Sequence, residues 1–248
     1  MTRLLVLLLV PFAVVARAFW RLRRPAPASR PTGRPCVLCL GASTVRGNVS
    51  HDWVGELSRR LPDRQWVNAG RNGETSAEIL ARADAALACL PTHVVVHAGA
   101  NDVLGQVPAA AHARNLTELV VRLRASGAKV ALLSLQPVGD DPEAPPNQDI
   151  DRANQIIARV AAEQHVTYLP LNERLRDLLR AHPDANRPLG ESPIPFLRAM
   201  ILHLGLGVSL ARAARTNGYA IHTDGLHLGP EAGGVVADLV AEFVEPGE

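Results

Sequence analysis

The chain has 248 residues, 47% of them apolar and 20% charged, with a formal net charge of +2. That balance suits one globular domain with a substantial core plus some extra, and implies no polyanion partner. The basic residues are almost all arginine, Lys129 being the only lysine, and apart from Arg21, Arg23 and Arg24 they are scattered. A nucleic-acid partner, which needs a basic stripe, is therefore not expected. Three cysteines are too few for a disulfide scaffold; Cys36 and Cys39 fall in one expected strand on opposite faces and read as buried free thiols.

From Leu4 to Trp20 the chain is nearly all apolar, with Arg3 before it and Arg21-Leu-Arg-Arg24 after it. As a helix, about 17 residues rise roughly 25 Å, short of the ~30 Å of a hydrocarbon core, and Pro11 and Arg17 interrupt the run. Two readings stay open for residues 1–24: an uncleaved membrane anchor, or a secretory signal with Ala16-Arg-Ala18 as a poor cleavage site. The arginines that follow oppose export and favour the anchor, with its orientation open. Residues 25–35, rich in Pro, Ala and Ser, read as a linker to a domain over 36–248.

From Cys36 onward strand and helix patterns alternate. Strands are expected near 36–40, 66–69, 93–98, 129–135 and 166–169, and helices near 51–60, 75–88, 108–125, 148–164 and 230–243. Pro108 and Pro230 suit first turns, and Gly127 follows a helix end. Strand, helix, strand repeated in this way implies a parallel sheet covered on both faces. The alternation is interrupted between Asn172 and Thr223, where an apolar insertion is expected over about 172–222.

Four strand ends carry polar residues with chemical potential. The first strand runs into Cys36-Val-Leu-Cys-Leu-Gly-Ala-Ser-Thr-Val-Arg-Gly47, which puts Ser43 at a carboxyl edge, where open α/β sheets place their ligands. After the second strand comes Asn68-Ala-Gly-Arg-Asn-Gly73-Glu-Thr75, and after the third His97-Ala-Gly99-Ala-Asn101-Asp102. A glycine entering a helix offers a backbone N–H, and an asparagine offers an amide donor of the oxyanion-stabilising kind. Thr223-Asp224-Gly-Leu-His227-Leu-Gly229-Pro230 precedes the last helix; Asp and His three apart on a short loop can sit side by side, the carboxylate orienting the imidazole. A metal site of Asp224, His227 and His222 lacks further ligands and is the weaker reading.

Ser43, Gly73, Asn101 and the Asp224/His227 pair occur in an order and spacing that resemble the four blocks of the SGNH (GDSL-type) hydrolase superfamily, from about Cys36 to the last helix. The resemblance implies a flavodoxin-like three-layer α/β/α fold on a central five-stranded parallel sheet. It also implies a serine esterase without cofactor or metal: Ser43 the nucleophile, His227 the base, Asp224 its orienter, with Ser43 N–H, Gly73 N–H and the Asn101 side chain as the oxyanion hole. One departure is Ala42, where the family usually has Asp. A small-molecule or lipid-like ester is the expected partner, with membrane contact through the N-terminal segment. An acyltransferase with the same site and a non-catalytic binding module on the fold are the alternatives; only Ala42 favours the module.

Three further expectations concern packing. The apolar stretch from Ser192 to Leu210, broken by Gly205 and Gly207, leads into the Asp-His loop, so Phe196, Met200 and Leu204 are candidate acyl-binding residues. His93 and His97 share one strand face and read as satisfied histidines. Trp53 and Trp66 read as helix–sheet packing.

Overall fold

The computed structural model describes residues 2–24, 31–182 and 184–245, with side chains described from residue 12 onward. The first helix, α1, spans Thr2–Arg23; of the expected linker, residues 25–30 lie outside the described residues. Then come β1 (Cys36–Gly41), α2 (Ser43–Arg46), α3 (Trp53–Arg60), β2 (Gln65–Gly70), α4 (Ser76–Ala81) and α5 (Ala83–Ala86). The middle of the chain forms β3 (His93–His97), α6 (Ala100–Leu104), α7 (Ala109–Ala125), β4 (Lys129–Leu133), α8 (Pro146–Glu163) and β5 (Thr167–Leu169). The rest is helical: α9 (Leu171–Arg180), α10 (Ile194–Met200), a π-helical turn at Ile201–Gly205, α11 (Leu210–Asn217) and α12 (Pro230–Val244).

The five strands pair in parallel in the order β2-β1-β3-β4-β5, as the resemblance implies. Because side chains alternate along a strand, each strand feeds both faces. Leu38, Leu40, Val94, Val96 and Leu132 pack with residues of α4, α5, α7 and α8. Val37, Cys39, Val95, Ala131 and Leu133 pack with α3, α9 and α12. Cys36 and Cys39 thus join opposite cores, all three cysteines are free, and burial pushes the Cys39 thiol above its ordinary range. Trp53 is buried and Trp66 half-buried in the second core, as expected of packing residues.

Local chemistry explains several helix starts. Asp52 accepts from Gly55 N at 3.0 Å to start α3, Thr75 and Glu78 form a reciprocal capping box on α4, and Pro230 opens α12. The single helix expected over 75–88 is instead broken at Arg82, whose side chain is drawn to Glu74 and to the carbonyl of Gly41. The irregular span opens with α9, which sequence reading missed; its Leu171, Leu175 and Leu179 line one helical face against the sheet. The helix expected from Ser192 does break, the π-helical turn ending at Gly205 before a new cap at Ser209.

Two expectations from the sequence meet further observations. Among the described residues no helix is long and apolar enough to cross a membrane. The described part of α1 instead seats Ala18 in a third apolar cluster with Val49, Ala199, Met200, Leu204 and Ala213. Nor are the strand histidines satisfied: His93 Nδ1 meets Thr92 Oγ1 at 3.1 Å, but the Nε2 atoms of both His93 and His97 are buried without a hydrogen bond.

Burial lowers the His97 pKa to about 4 against a weaker opposing contact with Gln136. The unfolded chain therefore takes up a proton near pH 6.5 that the folded state refuses until about pH 4. Stability should fall as pH drops through that window, by up to about 3 kcal/mol from this one group. Urea melts of His97→Leu should show a flatter pH dependence between those limits; an unchanged slope would contradict this assignment.

Candidate active site

The strand order makes β1 a switch point: the chain leaves it for β2 on one side and pairs with β3 on the other. At such a point the connections diverge and leave a crevice beyond the strand ends. Ser43 sits there, half-buried between the buried residues Ala42 and Thr44, as the first residue of the one-turn α2. Its turn is pinned from below. Trp53 Nε1 donates to Thr44 O at 3.0 Å and Asn68 Nδ2 donates to Val45 O at 2.8 Å. Gly41 O accepts from Arg71 N at 3.0 Å and from Arg82 Nη2 at 3.1 Å. With Ala42 in place of an acid, the strand end is held by these contacts and by the backbone bond from Arg46 N to Ala42 O at 2.9 Å.

The second element is the loop before α12. Asp224 Oδ2 lies 2.7 Å from His227 Nδ1, while its Oδ1 accepts from the backbone N–H groups of Leu226 and His227 at 3.0 and 2.9 Å. Both carboxylate oxygens are thus used to fix one ring, and Nε2 is left to carry the lone pair that can accept a proton. Burial disfavours the charged form of Asp224, but the charge of His227 and these hydrogen bonds outweigh it and hold the carboxyl below its usual range. Thr223 Oγ1 donates to Val49 O at 2.8 Å, and Ser50 and His51 bond to Leu228, so the loop is strapped to the segment following the serine turn. Ser43 and His227 share no direct hydrogen bond.

A residue the sequence did not single out links the two. Gln136, just past the end of β4, gives its Nε2 to Leu226 O at 3.0 Å and to Thr44 Oγ1 at 3.3 Å. Each acceptor is next in sequence to Ser43 or His227. A polar residue closing an apolar strand run was the signal available.

Of the other expected oxyanion donors, Gly73 lies in the turn after β2 and Asn101 in the first turn of α6, just past β3. Gly73 has φ +80° with open space beside its Cα, a conformation that side chains rarely adopt. Asn101 Nδ2 donates to Glu74 O at 2.8 Å, which joins the two loops and orients the amide. Beneath them Asp102, buried, accepts from Ser76 N at 2.8 Å and Ser76 Oγ at 2.5 Å. Desolvation works against its charge, yet His112 and the two Ser76 donors prevail and lower its pKa.

His222 is not turned to this pair as a shared ligand. Its Nδ1 lies 2.7 Å from Asp140 Oδ1 and its Nε2 2.9 Å from Pro137 O, in a fully buried contact between two loops. Of the three apolar candidates, Phe196 has its ring 5.7 Å from the His227 ring. Met200 is fully buried and Leu204 nearly so, both within the cluster that seats α1. Phe196 packs at the edge of the same cluster, so of the three it alone is described both there and against the His227 ring.

The sequence model of the GDSL-like lipase/acylhydrolase family matches residues 39–205, about two thirds of the chain. The chain belongs to this family. The esterase TesA of Pseudomonas aeruginosa is 36% identical over 139 residues, which cover 53% of this chain and 63% of that relative. The match thus spans less than two thirds of the curated relative. A crystal structure of TesA superposes with a TM-score of 0.59 at 26% identity, over 85% of this chain and 98% of the other. An acetyl xylan esterase, AlAXEase, shares the fold with a TM-score of 0.67 at 18% identity, over 84% and 99% of the two chains. The family match ends before Asp224 and His227, so the case for those two residues in this GDSL-like chain is carried by their geometry.

Both depressed carboxyls stabilise the fold while ionised. Their contribution is present above the unfolded carboxyl range near 3.9 and is lost as pH falls through the folded values. Asp102→Asn should therefore lower the melting temperature at pH 7 and flatten its acid decline below about pH 4. Parallel wild-type and variant curves would contradict the assignment.

Proposed function

We propose that this chain is a serine esterase that hydrolyses acyl esters through Ser43, His227 and Asp224. The observation that carries this reading is the Asp224–His227 contact at 2.7 Å, on a loop bridged by Gln136 to the turn that presents Ser43. Family membership and the esterase relative support the reaction class.

In this mechanism Ser43 Oγ attacks the ester carbonyl carbon while its proton passes to His227 Nε2, and the imidazolium is stabilised by Asp224. The negative oxygen of the tetrahedral intermediate accepts from Ser43 N–H, Gly73 N–H and Asn101 Nδ2. Collapse breaks the bond to the alcohol oxygen, which leaves with the proton from His227. Water, deprotonated by the same nitrogen, then attacks the acyl-enzyme and releases the acid. Phe196, beside the His227 ring, is the apolar surface offered to the substrate at this point. We further propose a small-molecule or lipid-like ester as substrate; if an alcohol replaced water in the second step, the same site would act as a transferase.

A fluorophosphonate probe should label the wild-type protein at Ser43 and fail to label Ser43→Ala. A folded protein that resists labelling would instead indicate a binding module. Ser43→Ala, His227→Ala and the double variant should lose ester hydrolysis by similar large factors, since groups that act as a unit do not add. Asn101→Ala should lower turnover by about 10²–10³. Gln136→Ala should lower kcat by up to about 10² with KM little changed, because it touches neither substrate nor reacting atoms and acts only on alignment. Near wild-type turnover in Ser43→Ala would sink the mechanism, and an effect of Gln136→Ala confined to KM would sink its positioning role.

A further inference from the structure

The first helix lies on the domain in a way that neither a free tether nor a core helix would. Its inward stripe is narrow: Val14 and Leu22 half-buried, Ala18 fully buried. Gly205 makes this seat fit, since a Cβ there would come within 2.8 Å of the Val14 side chain and 3.0 Å of its carbonyl. The carboxyl end of the helix is held by the active-site loops themselves. Leu22 O accepts from Asn48 Nδ2 and from Asn72 Nδ2, each at 3.0 Å, and Arg24 O accepts from Arg46 Nη2 at 2.8 Å. Asn72 adjoins Gly73, and Arg46 and Asn48 follow Ser43.

The other side of α1 faces outward with an unusual composition. Phe12 is 72% exposed, Trp20 60% and Phe19 40%, and with Ala16 they fall at the i, i+4, i+7, i+8 spacing of one helical face. Arg17, Arg23 and Arg24 are exposed around or beyond this face, Arg24 stacking over the Trp20 ring at 5.4 Å, while Arg21 turns back to donate to Leu204 O at 3.4 Å. Large aromatic side chains in open water are costly, so a contiguous face of them marks a partner.

We propose that this outward face of α1 docks on the surface of an anionic lipid bilayer, the helix lying in the interface plane and holding the active-site loops beside the lipid. The composition is that of an interfacial helix: aromatic residues on one face, arginines around them able to reach the headgroups along their aliphatic stems. A second copy of the chain is a poor occupant, because a symmetric contact would set arginine against arginine. A spanning arrangement would need the helix to leave the seat formed by Gly205, Asn48 and Asn72. The docking goes beyond the esterase reading and does not depend on it.

The test is co-sedimentation of the full chain, and of Ser43→Ala, with vesicles of phosphatidylcholine alone or with about a third phosphatidylglycerol. Both proteins should bind the anionic vesicles and leave the neutral ones, and high salt should release them. Each arginine near an anionic surface is worth about fivefold, so Arg17→Gln/Arg23→Gln should weaken binding by about 25-fold. Phe12→Ser/Phe19→Ser/Trp20→Ser should abolish binding while the melting temperature and turnover of a dissolved short ester stay unchanged. Brominated lipid should quench the tryptophan emission of the wild type, and Trp20→Phe should remove the quenching, since Trp53 is only 1% exposed and the half-buried Trp66 stands at the start of β2, at the sheet edge opposite Ser43, bonded to Leu61 O. Absence of binding, equal binding to neutral vesicles, salt-resistant binding as of a spanning helix, or quenching that survives Trp20→Phe would each overturn the proposal. So would lipid-free dimers that the serine variants dissolve. Loss of ester hydrolysis in Ser43→Ala with vesicle binding intact separates this question from the catalytic one.

Discussion

The structure depends on β1 being hydrogen-bonded on both sides, to β2 through Cys36–Gly41 and to β3 through Val37–Gly41. A strand so placed is buried on both faces and both edges, so its end is held from two sides at the carboxyl edge. The chain also leaves β1 toward β2 and leaves its neighbour β3 toward β4, on the opposite side, which opens the crevice where Ser43 stands. Rigidity and access would otherwise compete; the parallel order supplies both at one residue.

Around that point the loops are joined by buried polar contacts rather than by apolar packing. Gln136 links the serine turn to the histidine loop, Asp102 links the asparagine loop to the start of α4, and the Asp140–His222 pair links the exit of β4 to the approach to Asp224. A buried hydrogen bond has a narrow range of acceptable distances and angles, and leaving one partner unmatched costs more than making the bond gains. Such contacts therefore set position more sharply than side chains that can slide over one another. His97 is the exception that shows the cost: the ladder fixes its place, and its Nε2 goes unpaired.

The N-terminal helix alters how the apolar stretch before Asp224 is used. Taken by itself, the stretch holding Phe196, Met200 and Leu204 resembles a wall for an acyl chain. With α1 seated on it, Met200 and Leu204 are consumed in the seat, and Phe196 remains against His227. The apolar surface that stays in water has moved outward, to Phe12, Phe19 and Trp20.

The sequence by itself determined the layered parallel sheet, because period-two and period-3.6 patterns report local burial, and each strand from Cys36 to Leu169 carries its own signal. It also marked Ser43, Gly73, Asn101, Asp224 and His227, since each stands where a periodic run stops and a turn begins. The break of α4 at Arg82, the role of Gln136 and the buried Asp102–Ser76 contact were decided only by tertiary structure. Gln136 meets residues 90 and 92 positions away, and Arg82 meets Gly41 across 41. Nothing in a local pattern encodes which distant loop a polar side chain will reach. The same holds for α1: composition shows an apolar segment ending in arginines, but only the fold decides that a stripe one residue wide faces the protein and the aromatic remainder faces out.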